Sequence, residues 1–423
     1  MKLSKEVLIT GFALFSMFFG AGNLILPPFL GKNAGDNWSW VTLGFFITAV
    51  FIPILGILAH AKLQGTMYDF GKKVSPLFST IYCFIVYAIS IALPAPRTAS
   101  VTHEMAIAPY FDINSIITST IYFGLVFLFV MNRTKILNLL GKFLTPLIIL
   151  ILLAIIFIGM FTAPVTTNPS TFNSPFVNGL LEGYQTFDAI GAVVVGGILV
   201  ISMNFNKNTS FETKKELITK AGIIAGIGLL IIYAGLIYNG AIHNSIFSSE
   251  ATRTDVLNTL STQTLGNIGT IFLGILVALA CFTTAVGIIT GTADYIKGIT
   301  NNSQNAYTIT AVISCVLGVL VGQFDVHYII NIALPALMFI YPITIVLIIL
   351  NVLPNKYTSA RVFKVVVIIT FIFSIPDFLG FIVPKESLVD VKNIIPLANK
   401  HLGWVLPAIL SFVGVNLTKE TIV

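Results

Sequence analysis

The chain has 423 residues, of which 56% are hydrophobic and 9% are charged, and its mean hydropathy is +0.95. A soluble domain carries about 25% charged residues, so this composition excludes a soluble enzyme and a disordered chain. The net charge of +6 does not indicate a nucleic-acid partner, because basic residues collect in the loops of membrane proteins. The three cysteines and five histidines show no metal-ligand spacing, and we expect no enzyme activity.

Apolar runs long enough to cross a bilayer recur along the whole chain. A bilayer core needs about 20 apolar residues per helix, and long continuous runs favour helices over the alternating strands of a barrel. We therefore predict an all-α, polytopic membrane protein with a single transmembrane domain over residues 1–423. The twelve predicted spans are 7–30, 39–60, 76–96, 114–131, 137–161, 176–202, 218–242, 267–295, 306–323, 327–352, 362–383 and 397–416.

The placement of lysine and arginine supports an even number of spans. With a cytoplasmic N-terminus, about three quarters of the 23 basic residues fall in segments on the inner side. The longest predicted loops, 203–217 and 243–266, are too short for a separate soluble domain. We therefore expect both termini to be cytoplasmic.

The first span contains Gly20, Gly22 and Asn23 about midway across the membrane. Glycines are costly within a helix and suit unwound backbone, whose carbonyls bind cations and whose amides bind carboxylates. The alternative is a packing seam at which Gly20 and Gly22 let another helix approach closely. Because Asn23 adds a polar side chain at this depth, we favour a binding site.

A second interrupted segment lies in the sixth span, where residues 182–191 include Gly183, Asp188 and Gly191. Interruptions in corresponding helices are typical of inverted-repeat transporters, so we predict opened hydrogen-bond ladders at 20–23 and 185–191. A carboxylate within a span marks an ion or substrate path, or it caps the half-helix that follows. Both interpretations of Asp188 stay open at this point.

The eighth span carries Ala280, Thr283 and Thr284. Neighbouring hydroxyls and a carbonyl offer the oxygen ligands that hard cations prefer. The alternative is that each threonine bonds the backbone carbonyl one turn earlier, as is usual in membrane helices.

The third span ends in a proline-rich segment that holds Arg97 and, seven residues later, Glu104. The two charges are candidates for an extracellular gate. The alternative is a structural ion pair at the membrane interface.

The segments Phe-Phe-Gly-Ala-Gly-Asn-Leu-Ile-Leu-Pro-Pro at 18–28 and Pro-Ala-Pro-Arg-Thr-Ala-Ser-Val-Thr-His-Glu at 94–104 resemble those of the bacterial branched-chain amino acid:cation symporter family, the BrnQ-type carriers. The resemblance extends over the whole chain. It implies a LeuT-like five-plus-five inverted repeat with discontinuous helices 1 and 6. The repeats would cover 7–161 and 176–352, and two peripheral helices would cover 362–416.

The resemblance also implies site residues. A sodium ion would be held by the carbonyls of Ser16, Phe19 and Ala280 and the hydroxyls of Thr283 and Thr284. The substrate would contact Gly20, Ala21, Gly22, Asn23, Tyr184, Thr186, Phe187 and Asp188. Within that set, the freed amides of Ala21 and Gly22 would meet its carboxylate, and Tyr184 and Phe187 would line an apolar pocket.

We therefore expect a sodium-coupled symporter that imports leucine, isoleucine and valine across the bacterial plasma membrane. Sodium is the expected coupling ion, and the lipid bilayer is the expected surrounding. We expect no covalent cofactor, no nucleic-acid partner and no obligate protein partner. The alternatives are transport of another neutral amino acid or proton coupling through Asp188. An ion channel is a remote alternative, because the sequence shows no repeated filter element.

Overall fold

The computed structural model describes residues 5–132, 136–162, 167–194, 196 and 210–420, and these residues form helices and connecting turns without strands. The predicted all-α class is confirmed. The α-helices are α1 (Lys5–Phe18), α2 (Ala21–Ala34), α3 (Trp38–Phe46), α4 (Ile52–Leu63), α5 (Met67–Gly71), α6 (Pro76–Ala92), α7 (Pro94–Thr102), α8 (Ser115–Asn132), α9 (Ile136–Thr162), α10 (Pro175–Glu182), α11 (188–194), α12 (Phe211–Ile242), α13 (Arg253–Ile299), α14 (Gln304–Gly322), α15 (Val326–Val352), α16 (Ala360–Leu379), α17 (Val389–Ile394) and α18 (Val405–Glu420).

Most predicted spans correspond to continuous apolar helices. Within the described ranges, eight helical stretches are long and apolar enough to cross a membrane, and two shorter apolar helices lie at Pro146–Thr162 and Val405–Thr418. Large apolar side chains such as Ile309, Val316 and Leu320 are exposed along α14, as lipid-facing residues must be. Only the second half of the first span belongs to the eight, as the start of Gly22–Leu63, and the sixth span, described as far as 194 and at 196, is not among them.

The first span breaks between α1 and α2. In a continuous helix the amide of Gly20 would donate to Ser16, but it donates to the carbonyl of Phe18 at 3.0 Å and to Oδ1 of Asn23 at 3.2 Å. Gly20 is extended, with φ −110° and ψ −172°. The break is shorter than the predicted 20–23, because Asn23 satisfies the Gly20 amide and lets α2 begin at Ala21.

The sixth span breaks at Phe187. After α10 the chain tightens into a 3-10 turn over Gly183–Thr186, and Phe187 then adopts a left-handed conformation with φ +62°. A non-glycine residue in this region is strained and needs support from its surroundings. Helix resumes at 188, so the interruption covers only the first part of the predicted 185–191.

The third span bends where the sequence has its prolines. Helix α6 ends at Ala92, and α7 begins at Pro94, a first-turn position that proline suits because it lacks an N–H. A π-helical turn, His103–Ile107, follows α7. This bend directs the α7 side chains into the interior, and Pro94 through Thr102 are all buried.

The prediction of a loop over 243–266 is wrong. Helix begins at Arg253, and a kink at Gly266, with φ +69°, separates this first segment from the spanning part of α13. The segment starts with a capping box, because the hydroxyl of Thr252 accepts from the Asp255 amide. Part of the other predicted loop, 203–209, lies outside the described residues, and α12 begins at Phe211.

The apolar core has two clusters that meet at the broken spans. The first cluster includes Phe19 and Leu24 from either side of the first break, packed with residues of α12 and α13. The second includes Tyr184 and Phe187 from the sixth span, packed with residues of α15 and α16. The two interruptions therefore come from different clusters, and polar groups join them.

Candidate functional site

A hydrogen bond between Asn23 and Asp188 links the two broken spans. The side-chain amide of Asn23 donates to Oδ2 of Asp188 at 2.6 Å and also to the hydroxyl of Tyr233 in α12. The three residues are 1%, 4% and 1% exposed. A buried carboxyl group is costly unless hydrogen-bonded, so this network stabilises the Asp188 side chain between the two interruptions.

Asp188 does not serve as the cap of the helix that follows it. Its backbone amide donates to the hydroxyl of Thr186 at 3.2 Å, and that hydroxyl donates to the carbonyl of Gly183 at 2.9 Å. Thr186 thus supplies the capping oxygen, and the Asp188 carboxylate is turned toward Asn23. The capping interpretation of Asp188 is wrong because the preceding threonine performs that task.

Arg97 reaches both interruptions from α7. Its Nη1 donates to the carbonyl of Gln185 at 2.7 Å, and its guanidinium carbon lies 5.3 Å from the centre of the Phe187 ring. A Cβ built on Gly22 would lie 2.5 Å from Nη2 of Arg97. Glycine at position 22 therefore provides the room in which the guanidinium sits.

Glu104 lies apart from Arg97. Its carboxylate accepts from the hydroxyl of Thr254 at 2.5 Å and from the backbone amide of Val326 at 2.8 Å. The ion pairs of the described chain do not include one between Arg97 and Glu104. The ion-pair alternative is wrong, because Arg97 turns inward to the broken spans while Glu104 binds the first turns of α13 and α15.

The threonines of α13 lie beside the first break. The hydroxyls of Thr283 and Thr284 each donate to the carbonyl of Ala280 at 2.9 Å, so three oxygens are gathered there. A Cβ on Gly20 would lie 3.8 Å from Oγ1 of Thr284. The usual backbone bond of a membrane threonine is therefore present, and each hydroxyl oxygen keeps lone pairs for another ligand.

The remaining predicted residues flank these groups. Ser16 lies in the last turn of α1, Phe19 directly follows that helix, and Ala21 is the first residue of α2. Tyr184 is fully buried and stacks on Tyr341 of α15, with ring centres 4.4 Å apart. The structure thus brings the predicted residues of the first, sixth and eighth spans to one region, and it leaves Glu104 outside that region.

Sequence reasoning missed Tyr233 and the backbone carbonyl of Gln185. The signal for Tyr233 is a hydroxyl well inside the predicted apolar span 218–242, which also holds Tyr238 nearer its end. It also missed an ion pair between Arg253 and Glu182, whose Nη2 and Oε1 are 2.7 Å apart. Arg253 was hidden because it lies in the segment predicted as a loop.

A model of the family described as branched-chain amino acid transport protein matches residues 3–421. The chain belongs to this family. It is 32% identical to the branched-chain amino acid permease BraB of Bacillus subtilis, over 97% of the chain and 94% of that protein. It is also 32% identical to the branched-chain amino acid transport system 2 carrier protein of Pseudomonas aeruginosa, over 96% of the chain and 94% of that protein.

The fold is shared with solved transporters. The inward-facing conformation of Mhp1 matches with a TM-score of 0.59 over 97% of this chain and 91% of that chain, at 11% sequence identity. The predicted LeuT-like fold is confirmed, and the chain is a multi-pass membrane carrier rather than an enzyme. The repeat boundaries at 7–161 and 176–352 stay predictions.

Proposed function

We propose that this carrier imports leucine, isoleucine and valine together with sodium across the bacterial plasma membrane, with both termini cytoplasmic. The observation that supports it most is the meeting of two interrupted spans at the buried Asn23–Asp188 bond, within a family of branched-chain amino acid transport proteins. Interrupted helices expose backbone groups and helix-end dipoles, which replace the water that a zwitterion and a cation lose on entry.

The substrate site would lie between the two interruptions. The first amides of α2, those of Ala21 and Gly22, have no partner one turn earlier in the helix and would donate to the carboxylate. The carboxylate of Asp188 has lone pairs beyond the one that accepts from Asn23, and these suit the ammonium group. The aliphatic side chain would pack against Tyr184 and Phe187.

Sodium would lie between α1 and α13. Hydroxyls and carbonyls are neutral oxygen ligands, so a sodium site requires no cluster of carboxylates. Among the described residues, no group of three or more His, Cys, Asp or Glu side chains could hold a metal ion. Gly20 brings the first break against Thr284, so an ion at this place would contact both helices. Entry of one sodium down a potential of 100 mV supplies about 2.3 kcal/mol.

The test is uptake of labelled leucine into proteoliposomes with a sodium gradient or with choline in its place. We expect sodium to drive uptake. Thr284→Ala should raise the sodium concentration that gives half-maximal uptake about tenfold, because it removes one ion ligand that contributes about 1.4 kcal/mol of binding free energy. Thr292→Ala is the matched control, because Thr292 donates to Ile288 at 2.9 Å in the same helix and lies away from the break.

The same experiment addresses proton coupling, which the burial of Asp188 favours as the second candidate. Uptake that is indifferent to sodium, in the parent and in Thr284→Ala alike, contradicts the sodium proposal. If a pH gradient then drives uptake and Asp188→Asn abolishes that dependence, the carrier is proton-coupled.

A further inference from the structure

Arg97 is a buried cation in a membrane span that forms no direct ion pair with a described carboxylate. Only 4% of its surface is exposed. No carboxylate of the described chain forms an ion pair with it, and its Nε has no hydrogen-bond partner. Charged side chains inside a membrane are costly and mark functional paths, so this guanidinium requires an explanation.

The contacts of Arg97 are neutral and leave donors available. A guanidinium has five N–H donors, and one of them is used by the Gln185 carbonyl at 2.7 Å. The Phe187 ring covers one side at 5.3 Å. These contacts orient the group but do not neutralise its charge.

The first turn of α2 lies next to the Arg97 guanidinium and adds partial positive charge there. Nη2 lies against Gly22, in the first turn of α2, where a Cβ would come within 2.5 Å. The first turn of a helix carries partial positive charge and amides without intrahelical partners. The guanidinium and this helix end therefore converge on one anion site.

We propose that Arg97 binds the carboxylate of the transported amino acid, a role that rests on the proposed function of this site. The guanidinium presents paired donors that match a carboxylate, and the ligand would form the direct ion pair that no described carboxylate forms with Arg97. Asp188, turned toward Asn23 across the same break, takes the ammonium end. Arg97 is thus a specificity-determining residue for α-amino acids over their amides.

The test is equilibrium binding of labelled leucine to the purified full-length carrier in nanodiscs at saturating sodium, with leucinamide as a competitor. Leucinamide keeps the ammonium and the side chain but lacks the negative charge. We expect the parent to prefer leucine by about 100-fold, the size of a buried charge-assisted contact. Arg97→Gln should weaken the affinity for leucine about 100-fold and change the affinity for leucinamide less than about threefold.

Two variants complete the experiment. Arg97→Lys keeps the charge but not the paired donors, and we expect it to recover about tenfold of the lost leucine affinity. Arg361→Gln is the control, because Arg361 is exposed on α16, and it should bind both ligands as the parent does. Retained leucinamide binding in Arg97→Gln also shows that the variant is folded.

The outcomes separate the two proposals. If the parent binds leucine and Arg97→Gln binds it equally well, the assignment of Arg97 is overturned and the proposed function is not. Equal losses for leucine and leucinamide in Arg97→Gln also overturn it, because they indicate a structural role. A parent that binds none of leucine, isoleucine and valine overturns the proposed function and the assignment with it.

Discussion

Two arginines that are buried in the described part of the chain, Arg97 and Arg253, have opposite surroundings. Arg97 and Arg253 are 4% and 8% exposed, and each covers a phenylalanine ring, Phe187 at 5.3 Å and Phe29 at 4.5 Å. Arg253, however, meets the carboxylate of Glu182 through Nη2 at 2.7 Å and Nε at 3.1 Å. Arg253 thus forms a direct ion pair within the protein, and Arg97 forms none with a described carboxylate.

The comparison separates a structural arginine from a ligand-binding one. Arg253 also donates to Nδ1 of His327 at 3.2 Å, so it joins the starts of α13 and α15 to the end of α10. A paired and fully engaged arginine contributes to the stability of that junction. Arg97 keeps donors available beside two interrupted helices, which is the arrangement that a negatively charged solute requires.

We expect the largest effect from removing the carboxylate partner of Arg253, which would leave it, like Arg97, without a direct ion pair. Glu182→Gln leaves the Arg253 guanidinium buried without its carboxylate, and we expect the free energy of unfolding to fall by about 3 kcal/mol. Thermal unfolding of the purified carrier measures this loss. The preference for leucine over leucinamide should persist, because Arg97 is unchanged.

Glu212→Gln is the matched control for that variant. Glu212 pairs with Lys215 at 3.7 Å on the surface, where the two side chains are 77% and 46% exposed. Such pairs contribute about 0–1 kcal/mol, so the unfolding temperature should hardly change. Equal unfolding temperatures for Glu182→Gln and the parent would contradict the structural role of Arg253.

An intermediate effect is expected from Gly22→Ala, which displaces the unpaired arginine. The added Cβ would come within 2.5 Å of Nη2 and 3.3 Å of the Gln185 carbonyl. The flexible guanidinium can move, so the fold should survive while leucine affinity falls about 10- to 100-fold. Binding of labelled leucine measures the change.

Gly287→Ala serves as the control for Gly22→Ala, because a Cβ at Gly287 meets nothing within 4 Å. We expect it to bind leucine as the parent does. Unaltered affinity in Gly22→Ala would show that the guanidinium and the first turn of α2 do not form one anion site.

The smallest effect is expected from Tyr233→Phe. It removes one of the two acceptors of the Asn23 amide and leaves Asp188 in place, so leucine binding should weaken by about 1 kcal/mol. Tyr307→Phe is the control, because its hydroxyl donates to the Val130 carbonyl at 2.8 Å outside the site. A loss in Tyr233→Phe as large as that in Arg97→Gln would place the anion site at Tyr233 instead.

Local sequence features predicted much of this architecture correctly. Glycines at 20 and 22 and at 183 and 191 marked the two interrupted spans, because glycine is costly within a helix. The predicted lengths of the breaks were too large. A side chain ends each break early, Asn23 by accepting from Gly20 and Thr186 by accepting from Asp188, and such bonds depend on geometry rather than on residue type.

By itself, the sequence determined the membrane class, most of the apolar helices and the positions of the two interrupted spans, because these follow from apolar run length and from glycine and proline. Only the tertiary structure decided which groups the buried polar and charged side chains contact. Asn23 meets Asp188 from 165 residues away, Arg97 turns to Gln185 rather than to Glu104, and Arg253 finds Glu182. The sign and pairing of a buried charge depend on which helices pack together, and no local pattern encodes that choice.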